Sequence, residues 1–470
     1  MEGDASYNDT ATGIIYVPDA QYIDSGVNHK ISKTYMEATA APAQAETLRS
    51  FPNGSRNCYT VGGINKGEKY LIRALLLHGD YDGLPPVVFD LHLGVNFWQS
   101  VNITDPSALL QAEVITVAQE EHFAVCLVNT NSGTPFISAL EVRQISSSDV
   151  YRDVNQTNSL VLGTRLNMGD AQNILRKEFS FPFFGFVAGS SPDELFVCGR
   201  IFMCRYPDDA YDRFWTPFSK LPYWFNINSS ETIQRNPGDE FQVPGAVMAT
   251  AVTPSDNTSL LLLMSSKPGP VRPEYYVYMH FADFDAPSPN RTRLFDVYVN
   301  NEVEASNFQP NYLLSTHISL TYDLRPAVEY DIDLNHTGGS TLPPILNAIE
   351  IYTLLSLPDT TTYENDGSLS WLTHLVQSRV VPVSAKHHAS LVNMLVDAMM
   401  NLKKMYKMAK WQGDPCSPEK FTWSGITCSL SSSEQRQRIT SLYVPLNLSS
   451  LGLTGTIPSD LAKLTAIKSL

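Results

Sequence analysis

Short runs of strand-forming residues, cut at regular intervals by turn signals, constrain this chain more than any other feature. Residues 69–77 (KYLIRALLL) are a nearly unbroken apolar run, closed by Asp80-Tyr-Asp-Gly83, whose Asp-Gly pair suits a tight turn. Residues 86–93 (PVVFDLHL) alternate, with Val88, Asp90 and His92 on one face and Phe89, Leu91 and Leu93 on the other. Further strands are expected at 113–117, 123–128 and 136–142. A second series follows at 245–253, 259–264, 274–281, 293–299, 313–320 and 330–334. Many short strands without intervening helical patterns point to β-sandwiches rather than to βα alternation. The pattern occurs twice, which fits two similar lobes.

The length supports more than one core: 470 residues exceed one ordinary domain, and 43% hydrophobic against 17% charged residues is not the composition of a disordered chain. Aromatics at 10% and 30 prolines lean the same way, toward an all-β, loop-rich protein. A formal net charge of −15 argues against nucleic acid and anionic membrane surfaces as partners. No run of 18 apolar residues occurs; the nearest stretches, 179–189 and 260–264, are too short to cross a bilayer, so no membrane insertion is expected of this sequence. The opening Met-Glu-Gly-Asp has neither the basic nor the apolar region of a signal peptide. Against that stand nine Asn-x-Ser/Thr sequons, at Asn8, Asn53, Asn102, Asn155, Asn228, Asn257, Asn290, Asn335 and Asn447. Their density suits a secreted glycoprotein; a cytosolic protein rich in Ser, Thr and Asn is the plainer alternative.

The character changes from about residue 384. Leu391, Leu395, Ala398, Met399, Leu402, Met405 and Tyr406 recur at helical spacing, so one amphipathic helix is expected, docked on the second lobe or on the segment after it. Cys416 and Cys428 then flank a short polar segment, and a disulfide there would close a small loop. No cysteine pair has Cys-x-x-Cys spacing, which disfavours zinc. Finally, Leu446, Leu448, Leu453, Gly455, Ile457, Pro458, Leu461, Leu464, Ile467 and Leu470 fit one plant-type leucine-rich repeat, Leu446 and Leu470 lying 24 residues apart.

Several blocks resemble the malectin-like leucine-rich-repeat receptor kinases of plants. They are Leu48-Arg-Ser-Phe-Pro-Asn-Gly-Ser-Arg-Asn-Cys-Tyr59, Tyr81-Asp-Gly83 with Val88-Phe-Asp-Leu-His-Leu-Gly94, and Val125-Cys-Leu-Val-Asn-Thr130 with Gly133-Thr-Pro-Phe-Ile-Ser-Ala-Leu-Glu141. Arg205-Tyr-Pro-Asp-Asp-Ala-Tyr-Asp-Arg213, Val277-Tyr-Met-His-Phe-Ala282, Leu342-Pro-Pro-Ile-Leu-Asn-Ala-Ile-Glu-Ile-Tyr352 and Trp411-Gln-Gly-Asp-Pro-Cys416 continue the series in matching order. The resemblance implies a mainly β chain: a first malectin-like lobe over 1–190, a second over 191–356, a linker and helix over 357–410, a disulfide-closed cap over 411–437, and a partial repeat over 438–470. It also implies extracellular display and perception of a cell-wall-type glycan or a secreted peptide, with a possible co-receptor meeting the repeats. Cys58 and Cys126, both in strand-like stretches that match the family, are expected to be bonded or adjacent; two buried free thiols are the alternative.

In that family a membrane span and a kinase follow the repeats, whereas this sequence has no His-Arg-Asp, no Asp-Phe-Gly and no Gly-rich nucleotide loop. The usual signal peptide and opening Ile-Asp-Cys-Gly strand are not found, and residues 171–204 (with Cys198 and Cys204) and 360–386 have no recognised counterpart. These departures suggest a receptor sequence cut short; a natural soluble decoy is the rival reading.

No arrangement of residues supports catalysis, a metal or a cofactor. Gly62-x-x-x-x-Gly67 has Glu68 where a phosphate loop needs Lys. Asp80 and Asp82 lack the series of oxygen ligands that calcium requires. Residues 205–213 suit a charge-paired structural loop better than a pair of catalytic carboxylates. His387-His388 has no third ligand nearby. For a ligand site, aromatic faces that stack on sugar rings beside acidic side chains are the natural candidates: Tyr81, Asp82, Phe97 and Trp98, at the rim of the first lobe. Core packing is the competing account of these residues, and for Phe97 it weighs at least as much as binding; Tyr276, Tyr278 and Phe281 are read as strand core. Two classes stay open, a sugar-binding module and a peptide- or protein-interaction scaffold. Exposure of Tyr81 and Trp98 separates them.

Overall fold

The computed structural model describes residues 6–169 apart from 11, 40, 41, 85 and 148; residues 209–358 apart from 219–222, 256–258, 266–273 and 321–328; and residues 361, 362, 399, 400, 403, 411–430 and 436–442. The first-lobe strands are β1 (Arg56–Gly62), β2 (Lys69–Leu77), β3 (Val87–Leu93), β4 (Asn96–Ile103), β5 (Leu109–Val117), β6 (His122–Ser132) and β7 (Ala139–Ile145). Then follow β8 (Asn158–Met168), β9 (Ser259–Ser265), β10 (Tyr275–Phe281), β11 (Phe295–Val299), β12 (Glu302–Phe308), β13 (Thr316–Leu320), β14 (Glu329–His336) and β15 (Ala348–Ser356).

One eight-stranded sheet, in the order β7-β2-β5-β8-β15-β10-β13 with Thr216–Phe218 alongside β8, runs through both lobes. A four-stranded sheet, β1-β6-β3-β4, packs on its first-lobe half, and a second, β9-β14-β11-β12, packs on the other half. The large sheet is covered on its opposite face too, by segments that carry Tyr151, Tyr211, Trp215, Phe241 and Val247. That explains β2, whose nine residues are all buried: Ile72 enters the sandwich core and Leu71 the layer behind. A strand covered on both faces reads as a continuous apolar run rather than an alternation.

The interruption in that run, Arg73, belongs to a row of charges crossing the sheet on its rear face. In cross-strand register Glu141 faces Arg73, Arg73 faces Glu113, and Arg165 faces Glu350. Their contacts alternate in sign: Glu141 to Arg73 at 2.6 Å, Arg73 to Glu113 at 2.9 Å, Glu113 to Arg165 at 2.6 Å and Arg165 to Glu350 at 2.8 Å. Arg213 continues the row from Glu350 (3.2 Å) to Asp209 (3.0 Å), and Asp212 pairs with Arg143 at 3.1 Å. The described part of the 205–213 stretch is thus a charge-paired structural loop. Glu113, Arg165 and Glu350 are fully buried, so each charge depends on its neighbours for what water would have supplied. Burial alone would push the Glu350 carboxyl up, yet Arg213, Arg165 and His280 hold it well below the usual carboxylate range.

Two strand expectations need correction. The run expected at 245–253 begins as a short helix, Gly245–Met248, whose first turn closes on the Pro244 carbonyl, and only Thr250–Pro254 is strand. The run at 136–142 is split into Phe136–Ile137 and β7, with the Ser138 hydroxyl accepting the Leu77 N–H at 3.0 Å. Most of the expected helix, all of the repeat residues from Leu446 onward, Cys198, Cys204, and the stretches 171–204 and 363–386 lie outside the described residues. No helix among the described residues is long and apolar enough to cross a membrane, and no three His, Cys, Asp or Glu side chains among them are grouped to hold a metal ion.

Candidate ligand-binding site

The four candidate residues do not form one shelf. On β4, Phe97 points outward and is 49% exposed, whereas Trp98 is 3% exposed and packs in the first-lobe core. The cause is a β-bulge: Leu91 pairs with Gln99 and His92 with Phe97, so Trp98 is the extra residue, turned inward. Tyr81 is half-buried, its ring 4.8 Å from those of both His29 and His78 and 6.1 Å from Phe136. Asp82 shapes the turn: Oδ1 accepts the Leu84 N–H at 3.1 Å and lies 3.3 Å from His78 Nε2. Core packing claims Trp98 and most of Tyr81, and Phe97 alone keeps an open aromatic face.

Phe97 lies on a face with a second occupant. The register of β1-β6-β3-β4 lines up Cys58, Cys126, His92 and Phe97 in one row, and Arg56, Val128, Asp90 and Ser100 in the next. Cys58 and Cys126 are disulfide-bonded across β1 and β6. The segment 411–430, more than 350 residues further along the chain, packs on this outer face at Cys58 and Arg56. Its small core is a stacked pair, Trp411 and Trp423, 4.8 Å apart, beside the Cys416–Cys428 disulfide.

The Gly-Asp-Pro-Cys sequence acquires a physical reason here. Arg56 reaches across the sheet face, donating to the Gly94 carbonyl at 2.8 Å and to the Ser417 carbonyl at 3.3 Å, under the Phe421 ring. Gly413 packs on that guanidinium: a Cβ there would lie 2.8 Å from Arg56 Cζ, and its φ of +65° already favours glycine. Asp414 organises the turn, accepting the N–H groups of Cys416 (2.9 Å), Ser417 (2.7 Å) and Thr362 (2.8 Å) as well as the Thr362 hydroxyl. Gln412 closes the free edge of β1: its Oε1 accepts the Cys58 N–H at 3.1 Å and its Nε2 donates to Asp24 at 2.6 Å. Burial pushes Arg56 down to about 10, with Asp414 opposing, so it stays cationic. His92, edge-on to both Phe97 (5.9 Å) and Phe421 (6.2 Å), is pushed down to about 4 by burial and by the Arg56 charge.

Beside this contact lies a cavity of about 110 Å³, open on one side, where β1, the β3–β4 turn, the exit from β15 and the 411–430 segment converge. Leu93, Val95, Phe123, Leu357 and Met400 give it apolar walls. Lys403 also lines it, with a side chain 15% exposed and Nζ 3.7 Å from an Asp24 oxygen. Sequence reasoning missed Arg56, His92, Asp24, Lys403 and Phe421. The one hint was the match of both Arg56 and the Trp-Gln-Gly-Asp-Pro-Cys block to the same family.

Of the nine sequon asparagines, Asn8, Asn53, Asn102, Asn155, Asn228 and Asn290 are exposed and Asn335 is half-exposed; Asn257 and Asn447 lie outside the described residues. The Asn155 side chain forms a turn with its own sequon threonine, accepting the Thr157 N–H at 2.8 Å.

Comparison with known proteins places this architecture. The family model for the malectin-like domain matches residues 1–181 and 193–354. A probable LRR receptor-like serine/threonine-protein kinase of Arabidopsis thaliana is 36% identical over 99% of this chain and 46% of its own length. A putative leucine-rich repeat receptor-like protein kinase of the same plant is 35% identical over 99% and 45%. The chain spans under half the length of these curated relatives. Among solved structures, the ANX1 ectodomain from Arabidopsis thaliana is similar with a TM-score of 0.54 at 15% identity, covering 76% of this chain and 95% of that one. A chain in the crystal structure of the plant peptide RALF23 in complex with FER and LLG2 is similar with a TM-score of 0.51 at 15% identity, covering 75% and 93%. At these identities the likeness is one of fold.

Proposed function

The chain belongs to the malectin-like domain family of plant LRR receptor-like kinases, and from that premise we propose that it is an extracellular ligand-sensing module whose ligand is a secreted peptide rather than a glycan. The observation that carries the choice of ligand is Trp98. A sugar site at the expected rim needs adjacent open aromatic faces, and Trp98 is 3% exposed in the core while Tyr81 is wedged among rings. The first-lobe seam with the 411–430 segment offers instead a cavity sized for a single side chain. A fold neighbour that crystallised with a plant peptide supports the same choice. Extracellular display is supported by two disulfides and by six exposed sequon asparagines, which we propose are glycosylated.

The test is a parallel screen of the secreted chain against a glycan array and a pool of plant-type secreted peptides. Peptides are expected to be retained with micromolar or tighter affinity, and Phe97→Ala to leave that retention within about twofold. Retention of glycans alone, abolished by Phe97→Ala, would overturn the peptide reading.

A further inference from the structure

Among the described residues, Lys403 is the least satisfied of the largely buried cations on the seam. An ammonium carries three donors, and among the described residues its one ionic partner is Asp24, at 3.7 Å. Charge-assisted bonds are about 2.7–2.9 Å long, and the other Asp24 oxygen is already taken by Gln412 at 2.6 Å. Burial depresses the Lys403 ammonium, with Asp24 opposing, as expected of a cation short of partners. Arg56, behind Gly94 and Gly413 of the same cavity, has an Nε without a hydrogen-bond partner among the described residues. The acids on the cavity wall are committed elsewhere: Asp414 to Thr362, Cys416 and Ser417, and Glu120 to Lys66 at 3.0 Å. The cavity therefore presents an under-coordinated positive group above an apolar floor.

Size narrows the occupant. At about 110 Å³ the space exceeds the ~30 Å³ share of one water and falls short of the ~150 Å³ cavity that holds benzene. That space suits one aliphatic side chain. We propose that this cavity captures the C-terminal residue of a secreted peptide, with its apolar side chain on Leu93, Val95 and Phe123 and its α-carboxylate on Lys403. The inference rests on the peptide reading above and adds which end of the peptide is held, a recurrent mode of recognition.

The experiment uses the secreted chain and a random peptide library synthesised in two forms, with a free C-terminal carboxylate and with a C-terminal amide. Retained peptides are expected to end in Leu, Ile, Val or Met, and amidation to weaken them at least tenfold. Lys403→Met, which keeps the aliphatic stem, is expected to erase the difference between acid and amide. Asp24→Asn removes the competing carboxylate and is expected to tighten free-acid peptides severalfold, a gain that a misfolded variant could not produce. Equal binding of the two forms, or discrimination that survives Lys403→Met, overturns C-terminal capture and leaves the peptide reading standing. Retention of no peptide, with glycans bound, removes both.

Discussion

The molecule has two long-range seams, and they are built in opposite ways. Where the first lobe meets the second, β8 pairs on one edge with β5 and on the other with β15, so the backbone ladder itself crosses the seam. The charged row Glu141–Arg73–Glu113–Arg165–Glu350–Arg213 crosses with it, every contact between 2.6 and 3.2 Å. Where the first lobe meets the 411–430 segment, no strand of that segment pairs with the lobe's sheets. Contact rests on Arg56, Gln412, a glycine and a few rings. The charges in the first seam are mutually saturated; in the second, Lys403 has one carboxylate partner among the described residues, Asp24 at 3.7 Å. Saturated buried networks specify one arrangement and resist change, whereas a docked face with spare donors can accept another partner. That contrast is why we propose the second seam as the place of ligand response.

Four expectations test that contrast, in descending order of effect. Glu350→Gln leaves the Arg165 and Arg213 guanidiniums without their shared carboxylate in a dry interior, a loss of about 3–5 kcal/mol. Thermal unfolding of the secreted chain should then show both lobes melting earlier together. If only one lobe responds, the row does not couple them. Replacing Cys58 and Cys126 together by serine should cost about 4 kcal/mol through the long loop they close, a separation of 68 residues. The Cys416/Cys428 pair, with a separation of 12, should cost about 3 kcal/mol. Differential melting should assign the first loss to the lobe and the second to the 411–430 segment; a shared transition would mean that the docked segment is as integral as a strand.

Arg56→Met removes two charge-assisted hydrogen bonds and should cost about 1.5–3 kcal/mol of docking free energy. Amide exchange at Cys58 should accelerate, while exchange inside β2 and β5 stays unchanged. Gly413→Ala should reproduce that pattern through a clash on the same guanidinium. Uniform acceleration across the lobe would mean that the seam cannot open by itself.

The last expectation concerns pH. His78, His92 and His280 all sit below the ordinary histidine value because burial disfavours their charged form. The unfolded chain therefore binds protons first as pH falls below about 6.5, and stability declines from there, for His92 down to about 4. Of this, His92 should account for about 1 kcal/mol once its solvent-exposed part is discounted. His92→Gln should flatten the slope for the docked segment and leave the His280 contribution at the lobe seam. An unchanged slope would remove His92 from that account.

How far the sequence could be read depended on what each strand faces. The alternation of β3 and the apolar run of β2 were legible because a half-buried strand alternates and a doubly buried one does not. The two strands that join the lobes were not read as strands. In β8, Gly163, Arg165 and Asn167 interrupt the apolar pattern, and β15 carries Glu350 in its middle. Each polar interruption is buried against a partner on another strand, Arg165 on Glu350 and Asn167 on Thr250, so its meaning lies outside its own segment. Trp98 misled for a related reason: composition marks an aromatic residue, and a one-residue bulge decides which way it points.

Taken alone, the sequence determined the mainly β class, the recurrence of the strand pattern and the family, because periodicity and motif spacing are local properties of a chain. Both disulfide pairings were expected from it as well. Tertiary structure decided that one sheet serves both lobes, that Trp98 is core, and that the Gly-Asp-Pro-Cys segment docks on the first lobe beside an under-coordinated lysine. Those outcomes depend on which distant groups become neighbours. Gln412 and Cys58, 354 residues apart, satisfy one hydrogen bond, and no local pattern in either segment encodes the other's position.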